Sequence, residues 1–251
     1  MPRTARTESR SRIYHVMMRG VNRQQLFFDE EDNLYFIRVL DRFRKPCDYR
    51  LYAYCLMGNH VHLLLREGEV SLGNVFRHVN GAYAYWYNLK YERTGPVFQG
   101  RFRSEPVEDD LYFRTVFRYI LQNPVKAGLC GSAEKYPYSS AGEYLLGQKG
   151  ITDTDYAFSQ MDQAVMREYI CRENDDSCMD TGESVRPRCT DSRAMELVLA
   201  SFGTPTPVIR KTKERQDVEE QIRQLIRAGI SVRQLSRLTG ISRKQIDHAL
   251  R

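Results

Sequence analysis

Two histidines one residue apart are the first feature of this sequence that suggests chemistry. His60 and His62 flank a single valine in YCLMGNHVHLLL, residues 54–65, a run otherwise typical of a buried strand. Alternate residues of a strand point to the same face, so the two imidazoles project together while Val61 and Leu63 face the opposite side. Such a pair can hold one divalent cation. The alternative is two structural histidines whose nitrogens are satisfied by hydrogen bonds.

Tyr119 and Asn123 supply further groups that chemistry at a phosphate would use. They lie four residues apart near the end of YFRTVFRYILQNP, residues 112–124, and a helix would place them on one face. A phenol with a pKa of about 10 is a weak nucleophile, but its oxygen can attack phosphorus when a metal polarises the phosphate. Asn123 could offer that metal an oxygen. Because the chain has 16 tyrosines, a packing role for Tyr119 is the alternative.

The elements that must position these residues follow from apolar periodicity, glycines and prolines. Their order is strand, helix, strand, strand, helix, strand, helix. The strands are predicted over residues 12–20, 49–57, 60–67 and 95–108, and the helices over 29–46, 71–93 and 109–124, where Pro124 ends the last one. The first six elements match βαββαβ, a ferredoxin-like α+β sheet with helices on one face and the other face free to hold a site. This domain is expected to span residues 1–150.

The C-terminal residues 211–251 predict a separate all-α domain with a helix-turn-helix. One helix ends near Gly229, and Ser231 and Ser242 each begin a helix with a glutamine three residues later, as in a capping box. The front of the last helix, where base edges would be read, carries Arg243, Lys244, Gln245 and His248. A plain helical hairpin is the alternative. Residues 151–210 indicate a mixed helical and linker region.

Composition and charge favour a water-soluble protein with a polyanionic partner. The net charge is +6, and it is unevenly spread: residues 1–28 hold six arginines against one acid, 151–185 two basic residues against nine acids, and 210–251 eleven against five. Two basic ends suggest nucleic acid, although solubility alone is the alternative. No apolar run approaches the roughly 18 residues of a membrane span, and no secretory signal precedes the first strand, so a cytoplasmic location is expected. The six cysteines form no C-x-x-C pair and are expected to be reduced thiols.

Four sequence blocks, in order and spacing, resemble the single-tyrosine transposases of the HUH class. These include the enzymes of small insertion sequences and the REP-associated tyrosine transposases. The blocks are YHVMMRGVNRQQLFFDEEDNLYF, YCLMGNHVHLLL, GPVFQGRFRS and RYILQNPVKAGL. The resemblance covers about residues 10–145 and leaves the C-terminal domain outside. Two departures are Gly58, where relatives often have proline, and YILQNP, which lacks the histidine of the relatives' Y-I-H-x-N-P.

The resemblance implies a mechanism and roles for particular residues. Such enzymes cut single-stranded DNA, often beside a hairpin, and join its 5′-phosphate to a tyrosine, here Tyr119. His60 and His62 would bind Mg²⁺ or Mn²⁺, with Asn123 in the place of the third ligand and Gln122 as a second candidate for it. Some relatives are dimers that exchange the tyrosine helix and others act alone, so a homodimer stays open.

Arginines and aromatic residues in the matched blocks are expected near the DNA. Arg19, Arg101 and Arg103 would hold the backbone close to the cut, with ordinary surface charge as the alternative. Tyr85 and Tyr87 are candidates for stacking on unpaired bases, whereas the helical spacing of Tyr83 and Trp86 favours the core. His15 and His78 are interpreted as structural residues.

Two other functions compete with a transposase. A regulator built on a retired transposase would use the C-terminal domain to bind duplex DNA without a metal and without cutting it. A metal phosphohydrolase that activates water is less favoured, because two histidines and an amide lower the pKa of a bound water less than charged ligands would.

Overall fold

The computed structural model describes residues 7–172, 174, 176, 178–179, 191–204, 214–228, 230 and 232–250. The chain divides into two compact units, Met1–Glu183 and Ser184–Arg251. Each unit has its own apolar core. Within the described residues no helix is long and apolar enough to span a membrane. The five cysteines in this part of the chain are free thiols, whereas Cys189 lies outside the described residues.

The first unit is built on a four-stranded antiparallel sheet. Its strands are β1 (Ile13–Arg19), β2 (Arg50–Met57), β3 (His60–Arg66) and β4 (Arg103–Pro106). Their spatial order is β2-β3-β1-β4. This is the order expected when two β-α-β units interleave, so the predicted ferredoxin-like α+β fold is confirmed. The predicted hairpin is also present, since β2 and β3 are joined by Gly58 and Asn59 alone and Met57 pairs with His60.

Helices α1 (Glu30–Arg44) and α2 (Leu72–Lys90) pack on one face of the sheet. Asp29 begins α1 with a capping box, and three acids in the first turn complement the positive end of the helix dipole. The core under these helices is built mainly from apolar and aromatic side chains. It includes Val16, Met18, Phe36, Leu40, Leu51, Val61, Leu63, Leu65, Val75 and Tyr83.

The other face of the sheet is covered by α3 (Asp110–Lys126), so the expectation of a free second face is wrong. The apolar stripe of α3 packs on this face because Phe113, Val116 and Ile120 need burial as much as the sheet does. The predicted end of the helix at Pro124 is also wrong, because α3 continues to Lys126. Pro124 removes the hydrogen bond that its missing N–H would have made and crowds the carbonyl of Ile120, but α3 still continues for two residues.

Three further helices continue this second layer. They are α4 (Ala141–Leu145), α5 (Thr154–Gln160) and α6 (Gln163–Cys171). Ala157, Met166 and Ile170 join the core formed by α3 and the sheet. Part of the region expected to be mixed helix and linker therefore packs with the first unit.

The second unit contains four described helices. They are α7 (Asp191–Phe202), α8 (Glu214–Arg227), α9 (Val232–Thr239) and α10 (Arg243–Ala249). Between α9 and α10, Gly240 has a φ of 74°, a left-handed conformation that glycine adopts without strain. The core of the unit includes Ala194, Val198, Ile222, Leu225, Leu235, Ile241 and Ile246.

Candidate active site

His60 and His62 lie side by side on the face of the sheet that α3 covers. Strand alternation sends Val61 and Leu63 into the opposite core, as expected. The two imidazoles are 1% and 0% exposed, and their ring centroids are 5.0 Å apart with nearly perpendicular planes. The histidine pair is therefore buried within the protein.

Each histidine of the pair has a hydrogen-bond partner at Nδ1. His60 Nδ1 lies 2.7 Å from Asn59 Oδ1, and His62 Nδ1 lies 2.9 Å from Nε2 of His15. The Asn59 oxygen can only accept, so His60 carries its proton on Nδ1 and its lone pair on Nε2. The buried Nε2 of His62 has no hydrogen-bond partner within the described residues.

Helix α3 brings the Tyr119 ring against the histidines of the same chain. The centroid of its ring lies 5.6 Å from that of His62 and 5.9 Å from that of His15, both edge-on. Tyr119 is only 5% exposed. The Nζ atom of Lys126, two turns further along α3, lies 5.8 Å from the centroid of the tyrosine ring.

The two candidates for a third ligand differ in their surroundings. The Gln122 amide donates to the carbonyl oxygens of Ile170 and Arg172 at the end of α6, and its own oxygen accepts from Asn174. Gln122 is thus engaged away from the histidines.

Asn123 lies one turn after Tyr119 on α3 and is half-buried. Its amide nitrogen donates to the Tyr119 carbonyl at 3.1 Å. No hydrogen bond within the described part of the chain uses its Oδ1. Of the two amides, Asn123 is the one whose oxygen is not committed to the packing of α6.

His15, interpreted from the sequence as structural, belongs to the site. It is fully buried on β1, and burial lowers its pKa to about 3, so it is neutral at physiological pH. Burial, followed by the neighbouring charges of His60, His15 and Arg19, also lowers the pKa of His62 well below its usual value. A pattern in the sequence could have identified His15. It lies two residues before Met17 and four before Arg19, so all three side chains point to one strand face.

The donor set can accommodate a divalent cation, on the evidence of its buried nitrogens. A buried imidazole nitrogen without a partner is costly unless a ligand satisfies it, and His62 Nε2 is such an atom. No group of three His, Cys, Asp or Glu side chains is gathered for a metal among the described residues. A cation here would therefore depend on two imidazoles, an amide oxygen and oxygens from substrate or water.

Comparison with known proteins identifies what part of the chain is similar to transposases. Residues 9–123 match the model of the family described as "Transposase IS200 like". This segment of the chain is therefore similar to the IS200-like transposases. The matched segment runs from the residues before β1 to Asn123 and includes the histidine pair and Tyr119. The helices of the second unit lie outside it.

One solved structure has the same fold, and a second is similar over less than half of this chain. A REP-associated tyrosine transposase bound to a REP hairpin has a TM-score of 0.52 and 16% identity, covering 74% of this chain and 99% of that one. A candidate transposase from Deinococcus radiodurans has a TM-score of 0.35 and 18% identity, covering 45% of this chain and 92% of its own. A search of curated proteins gave no significant match.

Three arginines were expected to bind the DNA backbone, and two of them share the sheet face of the histidine pair. Arg19 pairs with His60 across β1 and β3, and Arg103 pairs with Met17 across β1 and β4. Arg19 is half-buried, whereas Arg103 is exposed. Arg101 is also exposed and lies in the segment before β4.

Gly20 closes the strand that carries Arg19. A Cβ atom there would lie 2.3 Å from the backbone oxygen of Gln24, so only glycine fits without a backbone shift. The tight turn of the MMRG block therefore fixes where β1 ends beside the site.

The expected stacking residues on α2 are only partly where they were predicted. Tyr85 is 75% exposed. The prediction for Tyr87 is wrong, because it is buried and its hydroxyl donates to the Gln25 carbonyl. Tyr83 is in the core as expected, and Trp86 stacks on Tyr35 with centroids 4.1 Å apart.

Helix α10 in the second unit has the predicted cap and an exposed polar front. The Ser242 and Gln245 side chains form a capping box, with Gln245 Oε1 accepting from Ser242. The predicted box at Ser231 falls outside the described residues. The four side chains expected to read bases are all exposed: Arg243, Lys244, Gln245 and His248.

Proposed function

We propose that this protein nicks and rejoins single-stranded DNA near hairpins through a covalent 5′-phosphotyrosine at Tyr119. One observation supports this proposal most strongly. The centroid of the Tyr119 ring on α3 lies 5.6 Å from that of the His62 ring in the same chain. The similarity of residues 9–123 to the IS200-like transposases favours the same reaction. The protein would act on DNA in the cytoplasm.

In the first step, the Tyr119 oxygen attacks the scissile phosphorus. A bond forms between the phenolic oxygen and phosphorus, the bond to the 3′-oxygen breaks, and the phenolic proton leaves. The released 3′-hydroxyl, or that of another strand, reverses the step by attacking the phosphotyrosine. No energy source is needed, because the number and type of phosphodiester bonds are conserved.

His60, His62 and Asn123 would hold Mg²⁺ or Mn²⁺ beside the phosphate. When bound, the cation supplies Lewis acidity, which draws negative charge from the phosphate oxygens. The side chains of the protein orient the reaction: α3 fixes the phenol against the imidazoles, and Arg19 and Arg103 on the same sheet face would bind the DNA backbone. Arg101 would extend this contact.

The substrate class rests on charge and on a structural neighbour. The transposase of similar fold was solved with a REP hairpin, and a folded single strand is the corresponding proposal here. Because the Tyr119 ring lies near the histidines of its own chain, a monomer would contain all the groups that the proposed chemistry needs. A homodimer would then serve to hold two DNA ends rather than to complete the site.

The test is formation of a covalent adduct. Single-stranded hairpins labelled at the 3′ end are incubated with the protein and Mg²⁺ or Mn²⁺, and the products are separated under denaturing conditions. We expect a labelled protein band that disappears with a chelator and with Tyr119→Phe, while DNA binding persists. Tyr85→Phe, which removes an exposed hydroxyl on α2, should leave the band unchanged. A band that survives Tyr119→Phe contradicts the assigned nucleophile.

A DNA-binding regulator is the second candidate, favoured by the exposed basic front of α10. Arg243 and Lys244 lie beside a capped helix start, the part of a helix-turn-helix that approaches base edges. A regulator would bind duplex DNA tightly without a metal and would yield no adduct. We expect the second unit to bind duplex DNA in addition to the reaction at Tyr119, so that both activities are present in the full chain.

Binding by the second unit is tested with Arg243→Ala combined with Lys244→Ala. The double variant should weaken duplex binding and reduce the salt dependence by roughly one unit of slope for each lost phosphate contact. Asp247→Ala, an exposed change of opposite sign on the same helix, should bind at least as tightly as the parent. Unchanged duplex binding by the double variant contradicts DNA reading by α10.

A further inference from the structure

Two further side chains continue from His62 across the sheet, so that His62, His15 and Glu105 lie in a row on three strands. His15 Nε2 on β1 is 2.9 Å from His62 Nδ1 on β3. On its other side, His15 Nδ1 is 4.0 Å from Oε2 of Glu105 on β4, which pairs with it in the sheet. Neither of these last two buried atoms has a hydrogen-bond partner among the described residues. At 4.0 Å these atoms are within ion-pair range but too far apart for a hydrogen bond, and the Glu105 side chain is 40% exposed.

The direction of the protons along this row is not arbitrary. A neutral imidazole has one N–H and one lone pair. If His15 carried its proton on Nε2, its Nδ1 lone pair would face the Glu105 carboxylate, and two acceptors would repel each other. If the proton is on Nδ1, His15 directs an N–H at the carboxylate and accepts from His62 through Nε2.

The same choice decides what His62 presents to the site. When His15 accepts, His62 must carry its proton on Nδ1, and its buried Nε2 then holds a lone pair. In the opposite arrangement His62 Nε2–H would point into the site and could not bind a cation. The carboxylate of Glu105, which reaches His62 only through His15, would therefore select the useful tautomer.

We propose that His15 and Glu105 are positioning residues that hold His62 with its proton on Nδ1 and its Nε2 lone pair directed at a divalent cation. The inference rests on the proposed metal site. It extends that site by two residues, because outer hydrogen-bond partners orient a ligating histidine and set its tautomer. His60 is held differently, by the adjacent Asn59.

Helix α3 also carries a residue near Glu105. Burial, followed by the neighbouring Glu105 carboxylate, raises the pKa of Tyr112, which lies two turns before Tyr119.

The tautomer can be measured without metal or DNA. Long-range ¹H–¹⁵N spectra of the metal-free, full-length protein distinguish protonated from unprotonated imidazole nitrogens, with His60→Gln and His62→Gln used for assignment. We expect His62 to have a protonated Nδ1 and an unprotonated Nε2 in the parent. His15→Leu, which removes the acceptor, should produce a mixture of tautomers. A parent in which His62 is protonated on Nε2 overturns the proposal.

Metal affinity provides the second measurement. Calorimetric titration with Mn²⁺ should show affinity about 10–100-fold lower for His15→Leu than for the parent. His15→Gln offers an amide oxygen to His62 Nδ1–H and should recover most of the loss. His78→Leu, on an exposed histidine of α2, is the matched control and should bind as the parent does.

The outcomes distinguish a failure of the hydrogen-bonded row from a failure of the proposed metal site. Thermal unfolding of each metal-free variant shows whether it is folded. If His15→Leu is not folded, the measurements are made on His15→Gln instead. Parent-like Mn²⁺ affinity of a folded His15→Leu overturns the proposal. A parent with the expected tautomer that binds no Mn²⁺ supports the hydrogen-bonded row and contradicts the proposed metal site instead.

Discussion

The two faces of strand β3 are equally buried, but only one of them carries polar side chains next to its apolar ones. Val61, Leu63 and Leu65 are 0% exposed on the face beneath α1 and α2, and their neighbours are apolar. His60 and His62, at the alternate positions, are 1% and 0% exposed beneath α3. The first face needs no partners beyond close packing. The second must satisfy each imidazole nitrogen, and it leaves Nε2 of His62 without a partner among the described residues.

This difference shows how to separate a structural core from a site in one sheet. A buried polar atom without a hydrogen bond costs about 1–3 kcal/mol, and a bound ligand would remove that cost. The apolar face stabilises the protein, whereas the histidine face tolerates a cost that a ligand can remove. Substitutions on the two faces should therefore affect different measurements.

The largest effect is expected from comparing an alanine substitution on the histidine face with one on the apolar face. His62→Ala should lower adduct formation by roughly a thousandfold, because the polarising ligand is lost. Leu63→Ala, one residue away, should lower the free energy of unfolding by about 2–5 kcal/mol while the folded fraction keeps its activity. Denaturant unfolding and adduct assays on both variants check this. Equal loss of activity per folded molecule in the two variants would remove the distinction.

Acid should destabilise the histidine face selectively. The folded pKa of His15, about 3, is below the unfolded value near 6.5, so the unfolded chain binds more protons between these values. Stability therefore falls as the pH drops below about 6.5, by at most about 1.4 kcal/mol per pH unit for each such group. His15→Gln should show a shallower slope than the parent in denaturant unfolding from neutral to acidic pH. His78→Gln should keep the parent slope, and a parent-like slope in His15→Gln would contradict the buried neutral state.

The two neighbouring amides of α3 should separate in the same way. Gln122→Ala removes the bonds to the end of α6 and should cost about 1–3 kcal/mol of stability, with adduct formation by the folded protein retained. Asn123→Ala should leave stability within about 0.5 kcal/mol of the parent. Its adduct formation should fall, with partial recovery at high Mn²⁺ concentration. The reverse pattern would identify Gln122 as the third ligand.

The smallest effect is expected at the exposed edge of the histidine face. Arg103→Ala should weaken single-stranded DNA binding a few-fold and lower the salt slope by roughly 0.7, as for one phosphate contact. Arg66→Ala, an exposed arginine at the far end of β3, is the control. Filter binding at several salt concentrations measures both. The same slope in parent and Arg103→Ala would indicate ordinary surface charge at position 103.

Local patterns were sufficient for much of the fold because they act over a few residues. Alternation in residues 49–57 and 60–67 predicted β2 and β3, and the Gly58-Asn59 pair predicted the hairpin between them. The capping residues of α10 were also readable, since the cap involves only Ser242 and Gln245. The extension of α3 past Pro124 could not be predicted in this way, because the cost of a proline near the helix end is small compared with the packing that the helix gains.

The sequence by itself determined which groups share a strand face or a helix turn: His60 with His62, and Tyr119 with Asn123. Those relations follow from the repeat of the backbone. Only the tertiary structure decided that α3 covers the second face of the sheet, that Gln122 is engaged by α6, that Tyr87 is buried and that His15 contacts His62. Each of these depends on how segments far apart in the chain pack against one another, and packing is set by the whole apolar surface that must be buried rather than by any short pattern.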